Sequence, residues 1–320
     1  MKNIPSLIAV TQEMGLNRSG LVADAIFPKV RTGCQFAYID WTDELKDLTS
    51  INDHVTCKSD VNETDLGALK LAYGGTQDHA LSQVLDECCQ VICGVPNLNE
   101  QIAAQKTRVL ANKLLIGREQ RAIAIATTVG NYADQSTKTP NDSTAVVDGG
   151  KFNLSKTNFE DPTFDLLAYF QGINDYAQYG RRNLMVTDRA TLNGILRHPQ
   201  FIGSGCQIDP ITTPDKVAAL LGVDKIVVAD AQYNDGFGTQ VSMKKFWPAG
   251  TILFTSSLEF ITAQDPQFAF GLSAYTQDLS TYTWLDEKKG KGEGAMMQKI
   301  GHDLTETVLS FKAATLVKIA

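Results

Sequence analysis

Six cysteines, four histidines and several glycine clusters are the residues whose types and spacing could do chemistry in this chain. Cys88, Cys89 and Cys93 stand close enough to share a metal ion. A structural zinc site takes four ligands, however, and no second pair follows at matching spacing. With Val84, Cys88 and Cys89 also fit the apolar positions of a helix or strand. Together with Cys34, Cys57 and Cys206 they read as reduced thiols packed as small hydrophobes. Gly149-Gly150-Lys151 is followed by Phe152, so the hydroxyl a phosphate-binding loop needs is missing. Gly290-Lys291-Gly292-Glu293-Gly294 lies among charges and reads as a flexible turn. Gly203-Ser204-Gly205 lacks the spacing of a nucleophile elbow. His54, His79, His198 and His302 are scattered and form no H-E-x-x-H pattern. His198 precedes Pro199 at a helix end, a position where histidine caps carbonyls. No nucleophile, base and oxyanion donor can be assembled from these residues. The sequence therefore predicts no enzyme, with no catalytic, cofactor-binding or metal-binding residues.

Bulk properties bound the rest. A length of 320 residues, 43% hydrophobic and 20% charged, suits roughly two globular domains with a sizeable core. The net charge of −7 argues against a protein that grips nucleic acid by neutralising phosphates. No apolar run is long enough to span a membrane. The first fifteen residues carry one lysine and an apolar patch too brief for a secretory signal, which predicts a protein made in a cytoplasm.

The elements that must position any site divide the chain. Residues 1–30 read as an extended arm, with a loop cluster at 17–20 and Phe27-Pro28 disfavouring helix. FAYIDW at 36–41 reads as a strand. Residues 40–65 then carry eight carboxylates against Lys46 and Lys58, a local charge of −6, which suits a solvated loop. The clearest helix is predicted over 97–127, about 46 Å long at 1.5 Å per residue. Ile102, Val109, Ile116 and Ile123 recur every seven residues and predict one apolar stripe along it. Lys106, Arg108, Lys113, Arg118 and Arg121 against Glu100 and Glu119 predict a basic, solvated opposite side. A polar, turn-rich loop at 129–160 precedes a second helix, predicted from Pro162 to Gly180.

Beyond residue 183 the pattern is mixed. NLMVTD reads as a strand, RATLNGILRHP as a helix stopped by Pro199, PDKVAALLG as a helix and DKIVVAD as a buried strand. VSMKKFW, TILFTS, FAFGLSAYT and TYTWLD follow as strands, and TETVLSFKAATLVKIA alternates as a final strand pair. Strand, helix and strand in this order leave an α/β enzyme as an alternative reading.

Four segments in order, LVADAIFPKV, NLMVTDRATLNGILRHP, LLGVDKIVVADAQYN and FGLSAYTQ, resemble the major capsid proteins of tailed bacteriophages. Ala23-Asp24 with Phe27-Pro28 is similar to that family's motif at the base of the N-arm. Leu221-Gly222-Val223-Asp224 resembles the turn into the central strand of its A-domain. The resemblance implies an α+β, HK97-like fold with an N-arm at 1–30, an E-loop at 31–75 and a P-domain with a spine helix at 76–180. It places an A-domain at 181–275 and return strands to the P-domain at 276–320.

It further implies a head protein that self-assembles as hexamers and pentamers into an icosahedral shell enclosing double-stranded DNA. An encapsulin-like shell around a cargo enzyme is the alternative within the same fold. The implied partners are other copies of the chain, a portal protein, a separate scaffolding protein, a decoration or cement protein, and packaged DNA by non-specific contact. No membrane, cofactor or covalent cross-link is implied, and the location is the virion capsid, assembled in the host bacterial cytoplasm. Asp43, Glu44, Lys46 and Asp47 would then serve assembly from the E-loop, and Lys106, Lys113 and Arg121 would face the interior.

Overall fold

The computed structural model describes residues 20–39, 71–85, 98–134, 150–175, 182–202, 213–234, 242–257, 269–289 and 294–320. The acidic segment at 40–65 and five of the six cysteines lie outside these residues; Cys34 is exposed. No helix among the described residues is long and apolar enough to cross a membrane.

Among the described residues two larger sheets organise the fold, beside a short antiparallel pair, β9 (Gln232–Asn234) and β10 (Met243–Lys245), and a ribbon described below. The first has four strands: β1 (Lys29–Arg31), β12 (Gly271–Asp286), β13 (Ala295–Val308) and β4 (Asp78–Leu85), side by side in that order. The pair β12–β13 forms a long antiparallel hairpin, and β1 joins it in parallel along residues 273–275 only. Two separate strands were expected where β12 runs unbroken; register shifts between Tyr275 and Ser280 absorb the irregularity that looked like a boundary.

The long helix, α2 (Leu98–Thr127), packs across this hairpin, within a residue of its predicted bounds. A four-residue helix, α1 (Ala23–Ile26), precedes β1. The buried face of α2 holds Thr107, Leu110, Ala111, Leu114, Arg118, Ala122 and Ala126, a progression of three and four residues. The expected seven-residue stripe is not that face: Val109 is 50% exposed while Ile123 is 4% exposed. Seven residues fall about 20° short of two turns, so a fixed seven-residue spacing drifts off a straight helix's core line.

The second sheet has six strands in the order β5 (Ala133–Asp134), β6 (Gly150–Leu154), β14 (Ala314–Ile319), β11 (Thr251–Thr255), β7 (Leu184–Thr187) and β8 (Lys225–Val228). Strands β7 and β11 are buried along their whole length, because both faces are covered. On one face Leu184, Val186, Leu253 and Leu316 meet the C-terminal end of α2 and residues 22–27. On the other, Met185, Ile252, Phe254 and Val317 meet a layer of helices. Those helices are α3 (Lys156–Glu160), α4 (Leu166–Asp175), α5 (Arg189–Arg197), α6 (Pro199–Ile202) and α7 (Pro214–Leu221).

Several expectations change here. The second long helix starts at Leu166, not Pro162, because Asp161 folds 161–163 into its own turn and Asp165 accepts from Ala168 N at 3.0 Å. His198 ends its own helix through its backbone N–H, which donates to Ile195 O at 3.0 Å, while its Nε2 meets the carbonyl of Asp161 at 3.0 Å. Gly222 closes α7 in the left-handed conformation at φ 70°, as a helix-ending glycine should. The strand that follows it, β8, is an edge of the described sheet, whose centre is β14 and β11. Strands β12 and β13 return beside α2, but β14 lies in the six-stranded sheet between β6 and β11. Likewise β6, α3 and α4 pack with that sheet although they fall within 76–180. Alternation shows that a strand exists; it does not say which sheet receives it.

Candidate assembly surfaces

The motif at residues 21–30 becomes a plug. Val22, Ile26 and Phe27 are fully buried in the core beside Trp247 and Phe270, with the Phe27 and Phe270 rings 5.3 Å apart. Like any helix, α1 leaves its first amides without intrahelical partners, and a side chain of α2 supplies one. The Glu119 carboxylate accepts from Val22 N at 2.7 Å and from Ala23 N at 2.9 Å. Burial pushes the Glu119 carboxyl above its ordinary range, opposed by those two amides and by Arg118.

Arg118, 3% exposed, ties four elements together. Its Nη1 donates to Asp24 Oδ1 at 2.6 Å, and its Nη2 donates to Phe27 O at 3.3 Å and Ser273 Oγ at 3.1 Å. Its Nε lies 3.9 Å from Glu306 Oε1. Where β12 begins, Gly271 leaves room for Phe27: a Cβ there would stand 2.5 Å from the Phe27 ring and 2.7 Å from Thr307 O. Gly271→Ala is therefore expected to lower the unfolding free energy by about 1–3 kcal/mol, measured by urea denaturation, because either the ring or the hairpin must shift. A midpoint equal to the parent chain's would show that Phe27 is not held there.

Away from this anchor, β2 (Gln35–Ile39) and β3 (Leu71–Gly75) form a separate antiparallel ribbon. Ala37 pairs with Tyr73, so their side chains share one face, and Leu71 lies two residues along on it. Tyr73 is 80% and Leu71 54% exposed. A two-stranded ribbon with apolar residues in water is marginal alone and gains by lying on another surface.

The residues singled out from sequence are placed unevenly. Asp43, Glu44, Lys46 and Asp47 lie outside the described residues, in the sequence between the two strands of this ribbon. Lys113 is exposed on α2, and Lys106 Nζ donates to Val84 O at 3.3 Å. Arg121 is turned to the sheet, where its Nε and Nη2 donate to the Glu306 carboxylate at 3.2 and 3.4 Å. Arg118 and Glu119 were counted with the solvated side, yet both are buried. Arg118 lies four residues after Leu114 and four before Ala122, and Glu119 lies four before Ile123; that phase was the signal that could have found them. Among the described residues no group of three His, Cys, Asp or Glu is placed to hold a metal ion.

A long helix laid across a hairpin, a projecting ribbon and a covered six-stranded sheet together define the α+β, HK97-like capsid fold. No protein-family model and no curated protein matches the sequence. Solved structures match it almost end to end. A phage-related protein from Bordetella bronchiseptica is 16% identical, with 99% of this chain and 97% of that one covered at a TM-score of 0.66. The capsid of a native GTA particle is 14% identical, covering 96% and 92% at 0.55. The capsid protein of the cyanophage P-SCSP1u is 11% identical, covering 95% and 89% at 0.53.

Proposed function

We propose that this chain is the major capsid protein of a tailed-phage-like particle. Copies assemble as hexamers and pentamers into an icosahedral shell that encloses double-stranded DNA. The observation that carries the reading is the near-complete coverage of both chains in the match to capsid structures, at TM-scores above 0.5. A shared fold spanning only one domain would leave other activities open; here the arm base, ribbon, long helix and both sheets all fall within it.

In this reading the N-arm is residues 1–30, the E-loop surrounds the β2–β3 ribbon, the P-domain holds α2 and the β12–β13 hairpin, and the A-domain holds the six-stranded sheet. Multivalency supplies the strength: each contact is modest, but every subunit repeats it with several neighbours. A portal protein, a separate scaffolding protein and a decoration protein are its expected partners. The basic side of α2 faces the packaged DNA, with Lys113 and Lys106 the main contributors, since Glu306 already meets the charge of Arg121.

Docking of the acidic segment on a basic neighbour tests the arrangement. Asp43, Glu44 and Asp47 replaced together by lysine should leave a folded subunit that assembles poorly, because like charges then meet at every repeated interface. Size-exclusion chromatography reads the outcome as material moved from the void volume to the subunit position. Undiminished particle yield from the triple variant would count against electrostatic docking of this segment.

A further inference from the structure

Between α2 and the four-stranded sheet lies a polar layer that shell assembly does not by itself require. His79 on β4 and His302 on β13 are direct cross-strand partners, their rings edge to face with centroids 5.6 Å apart. His302 is 4% exposed, and its Nε2 has no hydrogen-bond partner in the protein. Charged groups approach it from every packed element. Helix α2 contributes Arg118 and Arg121, β1 contributes Lys29, and β12 contributes Asp278. Strand β4 adds Asp78 beside His79, and β13 adds Asp303 and Glu306.

Each carboxylate is already engaged. Glu306 takes two hydrogen bonds from Arg121, Asp278 accepts from Lys29 Nζ at 3.1 Å, and the Asp303 carboxyl is pushed up by burial and by its neighbour Asp78. A proton added to His302 would sit buried among cations with no free anion to meet it.

We propose that this layer is an acid-sensitive latch: proton uptake by His302 opens the contact between α2 and the β12–β13 hairpin, and with it the hold of Arg118 on residues 24–27. The inference concerns the single chain and stands whether or not the shell reading is right. In the closed arrangement burial, then His79 and the neighbouring cations, push His302 down to about 3. Once α2 lifts, the ring returns to its ordinary value of about 6.5. Between those limits the open form binds a proton that the closed form does not, so the closed form loses ground as pH falls.

His79 is lowered as well and acts in the same direction. Glu119 and Asp303 are raised, so proton uptake there does not favour opening. Asp278 is lowered, and its support is lost only as the pH reaches the ordinary carboxylate range. Between about pH 6.5 and about pH 4.5 the imidazoles are therefore the groups that drive opening, and Glu119 and Asp303 act against them.

Hydrogen–deuterium exchange on the full-length chain, corrected for intrinsic rates, tests the latch between about pH 7 and about pH 4.5. The opening constant for amides of residues 23–31 and 107–121 is expected to rise by up to about tenfold per pH unit below 6.5. His302→Gln, which keeps a neutral polar side chain, should lose most of that slope, whereas His79→Gln should lose only the smaller share that His79 contributes. A full slope in His302→Gln overturns the assignment to this residue. Should the glutamine variant not fold, the parent chain decides: protection equal at both ends of the range overturns the latch.

Discussion

Replacing Arg118 by leucine is expected to lower the unfolding free energy by about 3–5 kcal/mol, read as a fall in urea midpoint at unchanged slope. The guanidinium is the shared donor for Asp24, the Phe27 carbonyl and Ser273, and it neighbours the buried Glu306. Leucine fills part of the volume but leaves the buried Phe27 carbonyl and Ser273 hydroxyl without this donor. Glu306 keeps Arg121, which places the expected loss toward the lower end. Lysine at the same position should recover only part of it. An ammonium can satisfy Asp24 or Ser273, yet it has no planar fork to reach both and the Phe27 carbonyl. A loss below about 1 kcal/mol would mean that the network is solvated and contributes as a surface ion pair does.

Phe27→Ala is expected to cost about 3–5 kcal/mol, the range for removing a large aromatic ring from a packed core. The ring is fully buried against Phe270 and over Gly271, and its backbone carbonyl is an Arg118 acceptor. The consequence should also be local. Residues 20–31 are fastened by this ring, by the Glu119 cap and by the short parallel strand β1, so loss of the ring should raise amide exchange there before it does in the six-stranded sheet. Since Phe27 and Arg118 share one junction, the double variant should lose less than the sum of the two single changes. Strict additivity, together with unchanged exchange at 20–31, would contradict a common anchor.

The helix over 97–127 was legible because its start signal and apolar content agree locally, and such agreement survives folding. Its buried face was not, since Val109 and Ile123 look equivalent as sequence and only the drift of the helix against a hairpin far along the chain separates them. Long-range pairing was the other obstacle. Nothing in ATLVKI at 314–319 shows that it inserts between β6 and β11 while the adjoining β13 pairs with β12 and β4. Arg118 and Glu119 were misplaced for a different reason: charged residues default to solvent, and a buried pair is recognised only when its partners are known. Those partners, Val22, Asp24, Ser273 and Glu306, are spread across the whole chain. Glycine-rich and cysteine-rich segments raised chemical possibilities that their spacing already argued against.

The central claim is that this chain builds a shell, and negative-stain electron microscopy of the purified full-length protein tests it most directly. Concentrated protein, produced alone and alongside a scaffolding protein, is expected to show hollow shells or curved sheets tiled by six-fold and five-fold rings. Only monomers or small closed oligomers under both conditions would contradict the account.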